Sequence, residues 1–186
     1  MYEISNTVAN AVDYENSLFV LKSMSTDKTR PFMCVVHVEH LNEGGCRLVC
    51  TDGRRLHYAD ISVEIPDGDY IPVVTKDTIV LKGPTNQGGF PNWKRVIPED
   101  CIDRGLINLA KSGVGKNVST AAQFSLAYSK VLQQTGEVIN VRYLDDLMKT
   151  EWQLLSREEK NKALMFKRPI AEREVVAVIM PMMAAA

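Results

Sequence analysis

No apolar run in this sequence approaches the roughly 18 residues that a membrane-crossing helix needs. The first residues, Met1 to Ser17, lack the basic start and apolar centre of a secretion signal. An excess of one charge is missing too: 22 Lys and Arg stand against 23 Asp and Glu, for a formal net charge of -1. General nucleic-acid binders are usually basic, so any contact with a phosphate backbone falls to a local basic face. Cysteine is scarce. Cys34, Cys46, Cys50 and Cys101 show no Cys-x-x-Cys spacing. Free thiols in a reducing cytoplasm are the expectation, and no membrane partner is expected. The final Ala184-Ala185-Ala186 is given no role.

Catalytic constellations are equally thin. His37, His40 and His57 have no convincing nucleophile partner, and Ser125 and Ser129 lack a nucleophile-elbow motif. Gly113-Val114-Gly115-Lys116-Asn117 imitates the end of a phosphate loop. The earlier glycine is missing, however, and Asn117 stands where Ser or Thr would hold magnesium. Cys34, His37, His40, Cys46 and Cys50 lie close in sequence. On strands, Cys34 and His40 would face one way and His37 the other, which does not converge tetrahedrally on zinc. Buried thiols beside surface histidines fit better. The chain reads as a non-enzyme that requires neither metal nor cofactor.

A composition of 45% hydrophobic and 24% charged residues is that of a globular protein of one domain or two small ones. Val8, Val12, Leu18, Leu21 and Met24 fall near one stripe and predict a helix over residues 7–25. Strands are expected in Phe32 to His40, in Arg47 to Ile65, at Tyr70 to Val74 and at Thr78 to Leu81, with a hairpin turn at Asn42 to Gly45. Gly83 to Gly89 carries the clearest linker signal. Beyond it, Ile102 to Ala110 reads as helix or strand, Phe124 to Leu132 as strand and Tyr143 to Leu155 as helix. Ala163 to Phe166 and Val175 to Met180 read as closing strands. The expected organisation is a first half at residues 1–82, a linker at 83–98 and a second half at 99–186, together about one compact domain. The class is α+β: antiparallel sheet with helices on one face. No sequence repeat links the halves.

Four stretches stand out. Thr51-Asp52-Gly53-Arg54-Arg55-Leu56 reads, on chemistry alone, as a strand ending in a tight turn. Phe90-Pro91-Asn92-Trp93-Lys94-Arg95-Val96-Ile97-Pro98 reads as a linker pinned by one Trp. Ile139-Asn140-Val141-Arg142-Tyr143-Leu144 leads into the helix expected from Tyr143. Val178-Ile179-Met180-Pro181-Met182 reads as a last core strand that Pro181 turns out of the sheet.

Together, in this order, the four resemble the bacterial sliding clamp, the beta subunit of DNA polymerase III. The family's Ala-Thr-Asp-Gly-x-Arg-Leu is matched by Cys50 to Leu56, and its Phe-Pro-acidic-Tyr-Arg-Arg-Val-Leu-Pro by Phe90 to Pro98. In the second motif Asn92 replaces the acid, Trp93 the Tyr and Lys94 the first Arg. The resemblance implies a clamp-type fold and a groove that receives short peptides from polymerases and other replication proteins. Matched position by position, the groove residues are Met33, Thr51, Gly53, Arg54, Arg55, Leu56, Pro91, Val96, Val178, Met180, Pro181 and Met182. Leu56 would give apolar floor, Thr51 and Gly53 close approach, and Arg55 a hydrogen bond to a backbone or carboxylate. The methionines would adapt to different apolar partners. The implied partners are DNA polymerase or other clamp-binding proteins and, where several copies close a ring, DNA. Two alternatives stay open beside the processivity clamp. One is a stand-alone clamp-fold adaptor or competitor that does not encircle DNA. The other is a structural remnant with an occluded groove.

Overall fold

The computed structural model describes residues 1–86, 88–108, 120–147, 150–169 and 173–182. The chain folds as two compact units. The first comprises Met1–Trp93 together with Glu172–Val175, and the second Lys94–Ala171 with Val176–Ala186.

The first unit contains β1 (Tyr2–Ser5), α1 (Ala11–Leu21), β2 (Val36–His40), β3 (Cys46–Thr51), β4 (Arg55–Ile61), β5 (Gly68–Val74) and β6 (Thr78–Thr85). Its strands are antiparallel in the order β1-β6-β5-β2-β3-β4. The β2–β3 hairpin turns where Gly44 and Gly45 supply positive φ, and Leu41 N–H closes it on Gly45 O. One face of β3 and β4 presents Cys46, Leu48, Cys50, His57, Ala59 and Ile61, all buried. Helix α1 packs on these two strands.

The buried face of α1 is not the stripe expected from the sequence. Val8 and Val12 are exposed, and Asp13, Tyr14, Asn16, Ser17, Phe19 and Val20 are buried. Polar residues enter this interface because hydrogen bonds offset their desolvation. Asp13 accepts from the Ser62 N–H and hydroxyl, and Ser17 donates to Asp13 O at 2.7 Å. Tyr14 Oη donates to Lys76 O at 2.9 Å. His57 sits against the helix, its ring stacked 4.4 Å from that of Phe19 and its Nδ1 donating to Phe19 O. Burial pushes the imidazole down to about 3, so it stays neutral.

The second unit contains β7 (Ile102–Asn108), α2 (Thr120–Thr135), α3 (Val141–Leu147), β8 (Glu151–Ser156), β9 (Leu164–Lys167) and most of β10 (Val175–Ile179). Its strands are antiparallel in the order β10-β9-β8-β7. Trp152, Leu154 and Phe166 are fully buried. The Trp152 Nε1–H donates to Leu147 O at 2.8 Å, which ties β8 to the end of α3.

Several expectations are corrected here. Phe32 and Met33 belong to a 3-10 turn, Pro31–Met33, and the strand starts only at Val36. Strand β6 runs on through Gly83, Pro84 and Thr85, where the sequence suggests the start of a linker. The stretch Phe124 to Leu132 lies in helix α2, with Ala127 and Val131 buried one turn apart. The helix expected over Tyr143 to Leu155 ends at Leu147. Glu151–Ser156 is a strand whose burial alternates with period two around Trp152, Leu154 and Ser156. Met148 and the Gly113 to Asn117 stretch lie outside the described residues.

Candidate functional site

In the first unit the Thr51-to-Leu56 stretch is a tight turn between β3 and β4 with its own hydrogen-bond frame. Thr51 Oγ1 accepts from Gly53 N–H at 3.0 Å and donates to Arg55 O at 2.8 Å. Asp52 Oδ1 accepts from the N–H groups of Arg54 and Arg55, at 2.8 and 3.0 Å. Its Oδ2 pairs with Arg55 Nε at 3.1 Å. Gly53 holds φ at +87°, a conformation that side chains disfavour. The missing Cβ opens the turn to a second segment. A Cβ at Gly53 would meet Arg30 Nη1 at 3.6 Å and Met33 Sδ at 3.9 Å.

Arg30 is itself held by Asp27 Oδ2, 3.1 Å from its Nε. Hydrogen bonds from the Thr29 hydroxyl and N–H, then from Arg30, hold the Asp27 carboxyl below the usual carboxylate range. Arg30 therefore joins Met33, Gly53, Arg54 and Arg55 at this turn. Arg30 is not among the groove residues that the resemblance implies. The signal that reveals it is spatial, since glycine leaves room for a guanidinium from a distant segment.

Pro91 is half-buried in a segment pinned from both sides. The Trp93 ring lies 5.4 Å from Tyr58, and its Nε1 donates to Glu39 Oε1 at 3.0 Å. The Arg47 guanidinium stacks 4.5 Å over Tyr58 and is fixed by Asp60 at 2.6 Å and Glu174 at 2.7 Å.

In the second unit, Val178 lies in β10 opposite Met165 and is buried. Beyond it the chain leaves the sheet, and Met180 and Met182 emerge 41% and 54% exposed. The Met182 N–H donates to Val138 O at 2.7 Å. That bond sets Met182 at the rim of an open, mostly apolar hollow of about 500 Å³, lined also by Tyr128, Val138, Ile139, Asn140 and Val141. The sequence reading treated Ile139 to Leu144 as architecture alone. The structure brings its first residues beside Met182. Val96 is 43% exposed.

The predicted set thus falls into two groups. Met33, Thr51, Gly53, Arg54, Arg55, Leu56 and Pro91 belong to the first unit, and Val96, Val178, Met180, Pro181 and Met182 to the second. Burial divides them differently. Met33, Thr51, Leu56 and Val178 are 2 to 7% exposed and shape the surface from beneath. Gly53, Arg54, Val96, Met180 and Met182 present atoms to solvent.

The cysteines bear on the site only by contrast. Desolvation pushes the Cys46 thiol up to about 12 and Cys50 further still, so neither is a nucleophile. Cys34 lies in the cap of the 3-10 turn, not on a strand, and donates to Asp27 O. Among the described residues no group of His, Cys, Asp and Glu is arranged to hold a metal ion.

Antiparallel sheets carrying helices on one face, in this element order, make the fold of the DNA sliding clamps. In particular, the chain is similar to solved beta subunits of bacterial DNA polymerase III. It superposes on that of Thermotoga maritima over 99% of its length at 14% identity, with a TM-score of 0.64. On that of Streptococcus pneumoniae it does so over 98% at 15% identity, with a TM-score of 0.67. On the sliding clamp of Bartonella birtlesii, solved bound to griselimycin, the values are 98%, 17% and 0.60. The chain spans 65%, 64% and 66% of these three proteins respectively. No family model matches the sequence, and no curated protein matches it.

Proposed function

We propose that this protein is a non-catalytic, cytoplasmic sliding-clamp-like protein that binds short peptide motifs of replication or repair proteins, in the manner of a DNA polymerase processivity factor. The observation that carries this reading is the coincidence of a clamp fold with the Thr51-to-Leu56 turn. There a positive-φ glycine, two backbone-capped arginines and Met33 meet at one surface. Such a turn offers close backbone approach and guanidinium donors to an extended peptide. The exposed Met180 and Met182 offer adaptable apolar contact to side chains such as Leu or Phe.

A specific observation favours the second reading, a clamp-fold adaptor or competitor that does not encircle DNA. Helix α1 contains no Lys or Arg, and α2 contains only Lys130. Affinity for a duplex rests on lysines and arginines that neutralise phosphates, and these helices supply few.

One experiment addresses both. A labelled Gln-x-x-Leu-Phe peptide is titrated by fluorescence anisotropy, and the protein is sized by sedimentation with and without circular DNA. Saturable binding at about micromolar Kd, weakened at least tenfold by Met182→Ala with Arg54→Ala, is the expected result. A folded protein that binds no peptide would refute the reading. A stable oligomer retained on circular DNA would favour the ring, and a monomer or dimer the adaptor.

A further inference from the structure

His37 is absorbed by no role described so far, yet its surroundings are specific. Its Nδ1 lies 2.7 Å from Asp69 Oδ1 and its Nε2 lies 3.4 Å from Glu39 Oε1. A neutral imidazole has one N–H and would turn a lone pair toward one of these carboxylates. Only the imidazolium is attracted to both, through a hydrogen bond to Asp69 and a longer ion pair to Glu39. Phe90 stacks on the same ring, centroids 4.8 Å apart and planes 7° apart, an arrangement in which a cation is favoured over an aromatic face. The oxygen of Glu39 that faces His37 also accepts from Trp93 Nε1.

Other charged groups lie on the neighbouring strands. Arg47, across β3 from Glu39, is committed to Asp60 and Glu174. Strand β6 sets Thr85 opposite Asp69 and Lys82 opposite Ile71. Phe90 and Trp93, from the segment packed above, carry no charge.

We infer that His37 is a positioning residue, a proton-operated latch that holds the Phe90-to-Trp93 segment on the sheet and thereby fixes Pro91 for peptide binding. Protonated, the ring bridges Asp69 and Glu39 and holds Phe90 directly and Trp93 through Glu39. On deprotonation the ion pair with Glu39 and the cation–aromatic contact are lost together, and the segment loosens. Histidine is the side chain suited to such a switch because its ring gains and loses a proton readily. The consequence for peptide affinity rests on the proposed function; the latch itself does not.

The test uses the full chain, ¹⁵N-labelled. Trp93→Phe identifies the Trp93 indole signal, and the buried Trp152 indole serves as reference. The Trp93 signal is expected to shift with pH at the same midpoint as the carbon-bound ring hydrogens of His37, while Trp152 stays still. In His37→Gln the Trp93 response should vanish. A Trp93 signal that is flat while His37 titrates, or that titrates unchanged in His37→Gln, overturns the latch. The Gln-x-x-Leu-Phe peptide should bind about threefold tighter below that midpoint, the size of one exposed charged contact, and His37→Gln should abolish the difference. Peptide binding with no such pH dependence, while the indole still responds, overturns the positioning role. Absence of peptide binding at every pH refutes the peptide reading instead, and the indole result still judges the latch.

Discussion

The candidate site residues of the two units are held in different physical ways. In the first, the site residues are framed by hydrogen bonds: Thr51, Asp52 and Arg55 fix one another, Asp27 fixes Arg30, and Leu56 and Met33 are buried beneath. In the second, the residues are apolar, with Val178 buried in β10 and Val96, Met180 and Met182 projecting into solvent. One unit offers a shaped backbone and oriented charges, the other adaptable apolar surface. The lesson concerns experiments. A substitution in the buried frame of the first unit should perturb folding as well as the proposed recognition, whereas one at the methionines should leave folding intact.

The largest effect that sharpens this contrast is at a core position of the second unit. Trp152→Ala removes a fully buried ring, and Leu147 O loses its donor. It should cost about 3–5 kcal/mol by chemical denaturation. A smaller loss would mean the second unit repacks, and its surface residues would then be less well defined than described. Leu56→Ala comes next, at about 2–5 kcal/mol, because Leu56 is buried. If Leu56→Ala weakened peptide binding without this stability loss, the contrast between the units would fail.

Acid should act on the first unit through His57. Its imidazole is near 6.5 when unfolded and about 3 when folded, so the unfolded chain takes up the proton first. Stability contributed by neutral His57 is complete above about pH 6.5 and falls as pH drops toward 3, where it levels off. His57→Phe should flatten that part of the stability curve. An unchanged slope, measured by urea unfolding at several pH values, would mean that another group carries it.

Gly53→Ala should cost about 1–2 kcal/mol, from backbone strain at φ +87° rather than from a clash, since the new Cβ meets nothing closer than 3.6 Å. Met182→Ala should change stability least, by under about 0.5 kcal/mol, because the side chain is mostly in solvent. Yet it should weaken the peptide at least tenfold in the same anisotropy assay. The single variants Leu56→Ala and Met182→Ala therefore separate folding from the proposed recognition.

Much of this was legible beforehand, where local chemistry decides. Asp52-Gly53 announces a turn whatever surrounds it, and Asn42 to Gly45 announces a hairpin, because glycine alone adopts those φ values freely. The continuous apolar run of β10 is likewise local. Other elements were hidden for physical reasons. The face of α1 that meets the sheet is marked by Asp13, Asn16 and Ser17, and a search for apolar stripes rejects such a face. Only the partners, Ser62 among them, make their burial tolerable. The adjacent leucines Leu154 and Leu155 suit either period. Pairing with β7 and β9 makes them strand.

By itself, then, the sequence determined the α+β class, the turns and the order of the motif stretches that point to a sliding-clamp fold. Those depend on backbone preference and composition, which act over a few residues. Tertiary structure alone decided which groups meet: Arg30 over Gly53, Met182 beside Asn140, and His37 between Asp69 and Glu39 under Phe90. Such meetings depend on strand register and on burial of segments far apart in the chain, and no local pattern encodes those distances.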